Sequence, residues 1–237
     1  MEFAIATNNP HKLEEIQRIL LRCGHKGVSQ AQLGLDIEPE ETADTFAGNA
    51  LIKARAICEA SGLPTIADDS GLAVDALGGA PGVYSARYAG EQHDMEDNKK
   101  KLMVEMRNVP KGKRTARFVS AVALVMPNGA VLQTCGECEG EIGFEERGQS
   151  GFGYDPLFYV NGRSFAQMSD EEKDAMSHRG RALEEFGRLL PEFLIQNTQN
   201  LHTRLFKYNV ESGKMMLTSK QRAILRKEAH GMQPVFQ

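Results

Sequence analysis

Asp68 and Asp69 stand side by side in the segment IADDSGLAVDALGGAPGVYSARYAG, residues 66–90. Like charges repel, and burying a carboxylate costs free energy unless a cation or hydrogen bonds compensate it. Carboxylates at the carboxyl end of a buried strand sit where α/β proteins place their ligands. With Glu40 and Glu41 upstream, the pair suits Mg²⁺, a hard cation that takes oxygen ligands and keeps several waters. The competing reading is an Asp-Ser-Gly turn with Asx-type hydrogen bonds. The apolar run ahead of the pair favours the ligand site. The neighbouring glycines at 78–82 lack the spacing of a dinucleotide fingerprint.

Three further segments carry usable groups. TNNPHK (7–12) joins a strand to a helix, where free backbone N–H groups and the helix dipole favour anions. Thr7, Asn8 and Asn9 add donors, and Lys12 can reach back over the turn; the alternative is that Asn9 only caps the helix and Lys12 is solvated. The segment is not a P-loop, because G-x-x-x-x-G-K-[ST] is absent. In SGFGYDP (150–156) the glycines let backbone approach a flat ligand, Phe152 or Tyr154 can stack on a base, and Asp155 can accept from ring N–H groups. A tight turn with both aromatics in the core is an equal alternative. EEKDAMSHRG (171–180) offers Lys173, His178 and Arg179 as a clamp for phosphate or a purine carbonyl, against the plainer reading of solvated helix charges.

These groups need a scaffold. FAIAT (3–7) has strand length, and the following residues change to helical spacing, with Leu13, Ile16, Ile19 and Leu20 on one face. Asn9 is a suitable N-cap, Pro10 a suitable first residue, and Gly24 a stop. A second helix is expected from about 45 to 61, then a buried strand PTIADD (64–69) ending at the acidic pair, then a helix near 94–108. Residues 114–136 read as two strands joined at Pro127-Asn128-Gly129. GYDPLFYV (153–160) reads as a further strand, and a helix over 170–195 closes the body. Helix-linked and hairpin-linked strands together imply an α/β protein with a mixed sheet flanked by helices.

Composition sets the class. With 41% hydrophobic and 25% charged residues the chain is an ordinary globular sequence, and no apolar stretch has membrane-spanning length. No secretory leader pattern opens it, so the expected location is cytoplasmic. Cys135 and Cys138 form a single C-x-x-C on extended chain, where side chains three apart face opposite ways, so they read as plain thiols. From residue 198 onward seven Lys/Arg face two Glu, a tail of +5; since the whole chain is −4, the first 197 residues stand at −9. So acidic a body is a poor nucleic-acid binder and must meet phosphates at a local basic pocket or through a metal. The tail reads as a loosely attached appendage, with a short basic helix over 218–229.

Taken in order, ATNNPHK, ADDSGLAVDALGGAPGVYSARYAG, SGFGYDPLF and EEKDAMSHRG resemble the signature segments of the Ham1/inosine triphosphate pyrophosphatase family, over roughly residues 3–195. The resemblance implies an elongated two-lobed α/β fold with a central mixed sheet, and a homodimer. It implies Mg²⁺-dependent hydrolysis of dITP, ITP and XTP to the monophosphate and pyrophosphate, within a domain over 1–197. Carried over by motif, Thr7, Asn8, Asn9, Pro10, His11 and Lys12 would hold the triphosphate end, with Lys53 facing the phosphates. Asp69 would accept the proton and, with Glu41, bind the metal. Ser70, Phe152, Gly153, Tyr154 and Asp155 would touch substrate, and Lys173, His178 and Arg179 would read the purine and its neighbouring groups. The rivals are a non-catalytic nucleotide-binding module and a phosphomonoesterase.

Overall fold

A computed structural model describes residues 1–212 of the chain. It divides into two units, Met1–Phe193 and Leu194–Gln237, and every site discussed below lies in the first. Strand β1 (Glu2–Ile5) leads into α1 (Pro10–Arg22), β2 (Lys26–Ser29), α2 (Phe46–Ser61) and β3 (Thr65–Val74). A one-turn helix at Asp75–Leu77 and a 3-10 helix at Gly82–Arg87 precede α3 (Met95–Met106). The hairpin β4 (Thr115–Val125) and β5 (Val131–Ile142) follows, then β6 (Phe158–Val160), β7 (Arg163–Ser164), α4 (Asp170–Met176) and α5 (His178–Ser212).

The seven strands form one mixed sheet in the order β2-β1-β3-β4-β5-β6-β7. β1 is parallel to both β2 and β3, and the remaining pairs are antiparallel. The chain passes from β1 to β2 on one side and to β3 on the other, so the order reverses at β1. Ligands of open α/β sheets gather beyond the carboxyl ends of the strands at such a point. β1 pairs with β3 only through Ile66, whereas β3 runs on to Val74 against β4. A crevice therefore opens beside β3 immediately after its neighbour ends.

Local signals account for the helices. Asn9 and Thr45 cap α1 and α2 with their side chains, Pro10 opens α1, and Gly62 closes α2 in the left-handed conformation. The α2 face of the sheet is an alanine-lined layer of Ala50, Ala54, Ala67, Ala121 and Ala123, where small side chains let the helix lie close. A second core gathers Leu72, Leu102, Met106, Phe118, Phe158 and Phe165. Gly136 on β5 lets the start of α5 approach, because a Cβ there would lie 2.2 Å from the His178 carbonyl oxygen.

Several expectations need correction. β3 does not end at the acidic pair: ten consecutive residues pair with β4, so Asp68 and Asp69 lie within a strand. In GYDPLFYV only Phe158–Val160 is strand, since Gly153 takes a left-handed φ of 62° and the backbone turns at Tyr154 before extending. The single helix expected over 170–195 is two: Ser177, with an extended backbone, ends α4, and α5 starts afresh at His178 and continues to Ser212. β2 had no clear strand signal, because Lys26–Ser29 is a short edge strand whose partner is remote in sequence. Cys135 is exposed and Cys138 buried, on opposite faces of β5. The helix expected over 218–229 lies outside the described residues. Among the described residues no helix is long and apolar enough to cross a membrane.

Candidate active site

A cleft of about 960 Å³ opens at the switch point. Its first wall is the turn after β1. Asn9 spends its side-chain oxygen on the N–H groups of His11 (3.0 Å) and Lys12 (3.3 Å), and Thr7 Oγ1 accepts from Asn9 N (3.1 Å). The cap thus already covers two of the donors that an anion would take at this helix end. Asn8 donates to Glu38 at 2.8 Å and accepts from Gln30 at 2.9 Å, which ties the turn to the loop after β2. Lys12 is not solvated. Its ammonium sits 2.6 Å from the fully buried Asp68 carboxylate. Burial pushes the Lys12 pKa down against that attraction.

The acidic pair is not a pair in space. Successive side chains of a strand point to opposite faces, so β3 places its backbone between the two carboxylates. Asp68 faces α1 and α5. It accepts from Ser120 Oγ at 2.5 Å, lies 3.5 Å from Arg179 Nε, and has Ser70 Oγ at 3.4 Å. Burial alone would raise its pKa, but Lys12 and Arg179 hold the carboxyl far below the usual range. Asp69 faces α2, where Lys53 Nζ lies 2.9 Å from it and 3.0 Å from Glu41. One ammonium is thus shared by two carboxylates. Lys53 rises in pKa despite its burial, whereas burial and the nearby Glu41 raise Asp69 more than Lys53 lowers it. The repulsion expected between adjacent aspartates is relieved by strand geometry and by a separate lysine for each.

The other wall comes from 150–157 and the start of α5. Asp155 accepts from Phe152 N (3.0 Å) and from Lys173 Nζ (2.7 Å). Gly151 is required there, since a Cβ would meet the Asp155 carboxylate at 2.2 Å. Of the two aromatics, Tyr154 is buried with its hydroxyl donating to the Ser85 carbonyl, which leaves Phe152 as the exposed ring. The Phe152 ring lies parallel to His11, centroids 5.6 Å apart, with Lys173 Nζ at a similar distance. His178 is buried and stacked on Phe118. It does not bond to Ser70, which instead accepts from Arg179 at 3.1 Å, so these two residues do not form a Ser-His pair. Arg179 also bridges to Glu15 at 3.1 Å.

The cleft lining includes Thr7, Asn8, Asn9, Lys12, Glu41, Lys53, Ser70, Phe152, Gly153, Tyr154, Asp155, His178 and Arg179. Asp69 and Lys173 reach it through Lys53 and Asp155, His11 through Phe152, and Pro10 serves the helix start. Sequence reasoning missed Asp68 as the hub of the first wall, together with Ser120 and Glu15. Glu15 had a faint signal, one helical turn beyond Lys12. Ser120 had none, because its bond to Asp68 spans 52 residues.

Burial and the positive charges of Arg179, Lys12 and Lys173 hold the His178 imidazole well below its ordinary pKa, with Asp68 opposing. Below pH ~6.5 the unfolded chain binds a proton that the folded state refuses, so stability falls with pH by up to about 1.4 kcal/mol per unit. Urea unfolding between pH 7.5 and 5.5 checks this: His178→Gln should show a shallower loss than the parent. Equal slopes would disprove the assignment.

The Ham1 family model matches residues 3–189. Over 197 residues the chain is 46% identical to a dITP/XTP pyrophosphatase of Desulforamulus reducens, covering 82% of this chain and 98% of that one. It is 48% identical over 188 residues to a dITP/XTP pyrophosphatase of Haemophilus ducreyi, covering 77% and 94%. A HAM1 protein from Coxiella burnetii superposes with a TM-score of 0.76 at 41% identity, over 81% of this chain and 99% of that chain. A family match over most of the chain, a shared fold and relatives matched almost end to end agree: the chain belongs to the Ham1 family.

Proposed function

We propose that the cleft hydrolyses non-canonical purine nucleoside triphosphates (dITP, ITP and XTP) to the monophosphate and pyrophosphate. The observation that carries the reading is the Glu41–Lys53–Asp69 cluster, a raised-pKa carboxylate held beside a lysine at the edge of a cleft roomy enough for a nucleotide. The two dITP/XTP pyrophosphatase relatives support the substrate class.

Asp69 takes a proton from the attacking water. The water oxygen bonds to the α-phosphorus, and the bond to the departing pyrophosphate breaks with its electron pair. A carboxylate pushed up in pKa is a better base than an ordinary one. Lys12 and Lys53 face the phosphates. On the base side, Phe152 stacks on the purine, while Lys173, His178 and Arg179 present donors to O6 and Asp155 accepts from ring N–H. Adenine reverses the pattern at both positions and would leave buried polar groups unpaired.

Glu41 and Asp69 fit a divalent ion. They already converge on one cation, their donors are hard oxygens, and two carboxylates beside phosphate oxygens and waters suffice for Mg²⁺. Among the described residues no group of three or more His, Cys, Asp or Glu is poised for a metal, so the ion's remaining ligands would be phosphate and water. When bound, Mg²⁺ neutralises phosphate charge and orients its oxygens. The same reading puts the activity within residues 1–197 of a cytoplasmic homodimer, and the family match over residues 3–189 supports the first of these.

Incubation with dITP, XTP, dATP and dGTP, with Mg²⁺ or EDTA, tests the reading. The expected products are pyrophosphate from dITP and XTP alone, and none with EDTA. Orthophosphate would make the protein a phosphatase instead. Nucleotide binding without turnover would make it a binding module.

A further inference from the structure

Four Lys/Arg residues line the cleft: Lys12, Lys53, Arg87 and Arg179. Three are committed to carboxylates: Lys12 to Asp68, Lys53 to Asp69 and Glu41, and Arg179 to Glu15 and Asp68. Among the described residues Arg87 has no carboxylate partner, and its guanidinium lies 5.2 Å from the centre of the Tyr84 ring. Glu40 and Glu91 line the same cleft and repel an incoming polyanion. A cation already neutralised by a carboxylate gives such an anion less than a free one does.

The backbone that carries Arg87 is firmly held. Ser85 Oγ donates to the Gly82 carbonyl at 2.6 Å and accepts from Leu72 N at 2.9 Å, which fastens this 3-10 helix to β3. Tyr154 donates to the Ser85 carbonyl and Asn98 to the Ala86 carbonyl, each at 2.9 Å. Gly71 makes the close approach possible, since a Cβ there would meet Ser85 Oγ at 2.4 Å and the Gly82 carbonyl at 2.7 Å. β3, α3 and the 150–157 loop thus fix the two residues before Arg87. A guanidinium on so rigid a base, resting against an aromatic face, is preorganised for a planar, bidentate grip on phosphate.

We propose that Arg87 is a further substrate-binding residue, whose guanidinium takes phosphate oxygens of the bound nucleotide. The proposal rests on the triphosphatase reading above and adds a phosphate contact to it. The test uses the full chain in Mg²⁺ buffer with two probes: inorganic tripolyphosphate for the phosphate side and uncharged deoxyinosine for the purine side. Arg87→Met should weaken tripolyphosphate binding about 10- to 100-fold, as expected for loss of a charge-assisted hydrogen bond, and raise KM for dITP comparably. Deoxyinosine affinity and the thermal midpoint should stay unchanged, and Arg87→Lys should keep part of the affinity. Unchanged tripolyphosphate affinity in Arg87→Met would overturn the proposal, as would an equal loss for deoxyinosine or no tripolyphosphate binding by the parent chain. The two readings fail separately. Arg87-dependent tripolyphosphate binding without dITP hydrolysis refutes only the activity, and dITP hydrolysis indifferent to Arg87 refutes only the contact.

Discussion

Asp69→Asn should lower kcat for dITP by about 10²- to 10⁴-fold, the range contributed by a positioned proton acceptor. The amide nearly matches the carboxylate in shape and can still accept from Lys53 Nζ, now 2.9 Å away, while Glu41 keeps its own contact with that lysine at 3.0 Å. The fold should therefore survive, and what is lost is the ability to take a proton. Burial and Glu41 both disfavour the charge on Asp69, so the substitution also removes an electrostatic burden. The thermal midpoint should be unchanged or higher. Steady-state pyrophosphate release and a melting curve on the same preparation check both halves. Retained turnover would remove Asp69 from the chemistry and pass the base role to another group, while lost turnover with a collapsed fold would make it structural.

Asp68→Ala should have the largest effect on stability, a loss of about 3–5 kcal/mol, the range for removing one partner of a buried ion pair. Asp68 is the common acceptor for Lys12, Arg179, Ser120 and Ser70, and its side chain is fully buried. Without it, Lys12 loses its counterion and faces Arg179 across the vacated space, and Arg179 keeps Glu15 as its carboxylate partner and its bond to Ser70. Adding Lys12→Met should restore a substantial part of the loss, because the orphaned ammonium is then gone. Urea unfolding of the parent, both single variants and the double variant measures the coupling. A loss below ~1 kcal/mol for Asp68→Ala, or strict additivity in the double variant, would show that the hub is not what holds the first wall together.

Much of this protein was legible without its structure. The α1 and α2 boundaries follow from Asn9, Pro10, Thr45 and Gly62, whose effects act within one turn of chain. The hairpin at 126–130 follows from its Asn-Gly turn. The four motif segments together pointed to the family, because each combines residue types that few other constraints would assemble.

What failed was whatever depends on partners distant in the chain. Asp68-Asp69-Ser70-Gly71 looks locally like a turn, and only ten-residue pairing with β4 keeps it extended. That extension decides the electrostatics, since it sends one aspartate to Lys12 and the other to Lys53. The break at Ser177 was equally hidden, because the apolar spacing continues through it while a serine with extended backbone ends one helix and lets another begin. Glu15 and Arg179 meet across 164 residues, Ser120 and Asp68 across 52. Residue types and local periodicity determined which groups the protein owns and which elements carry them. Tertiary structure alone decided which charge neutralises which, because burial and opposite-face geometry exist only once the sheet has formed.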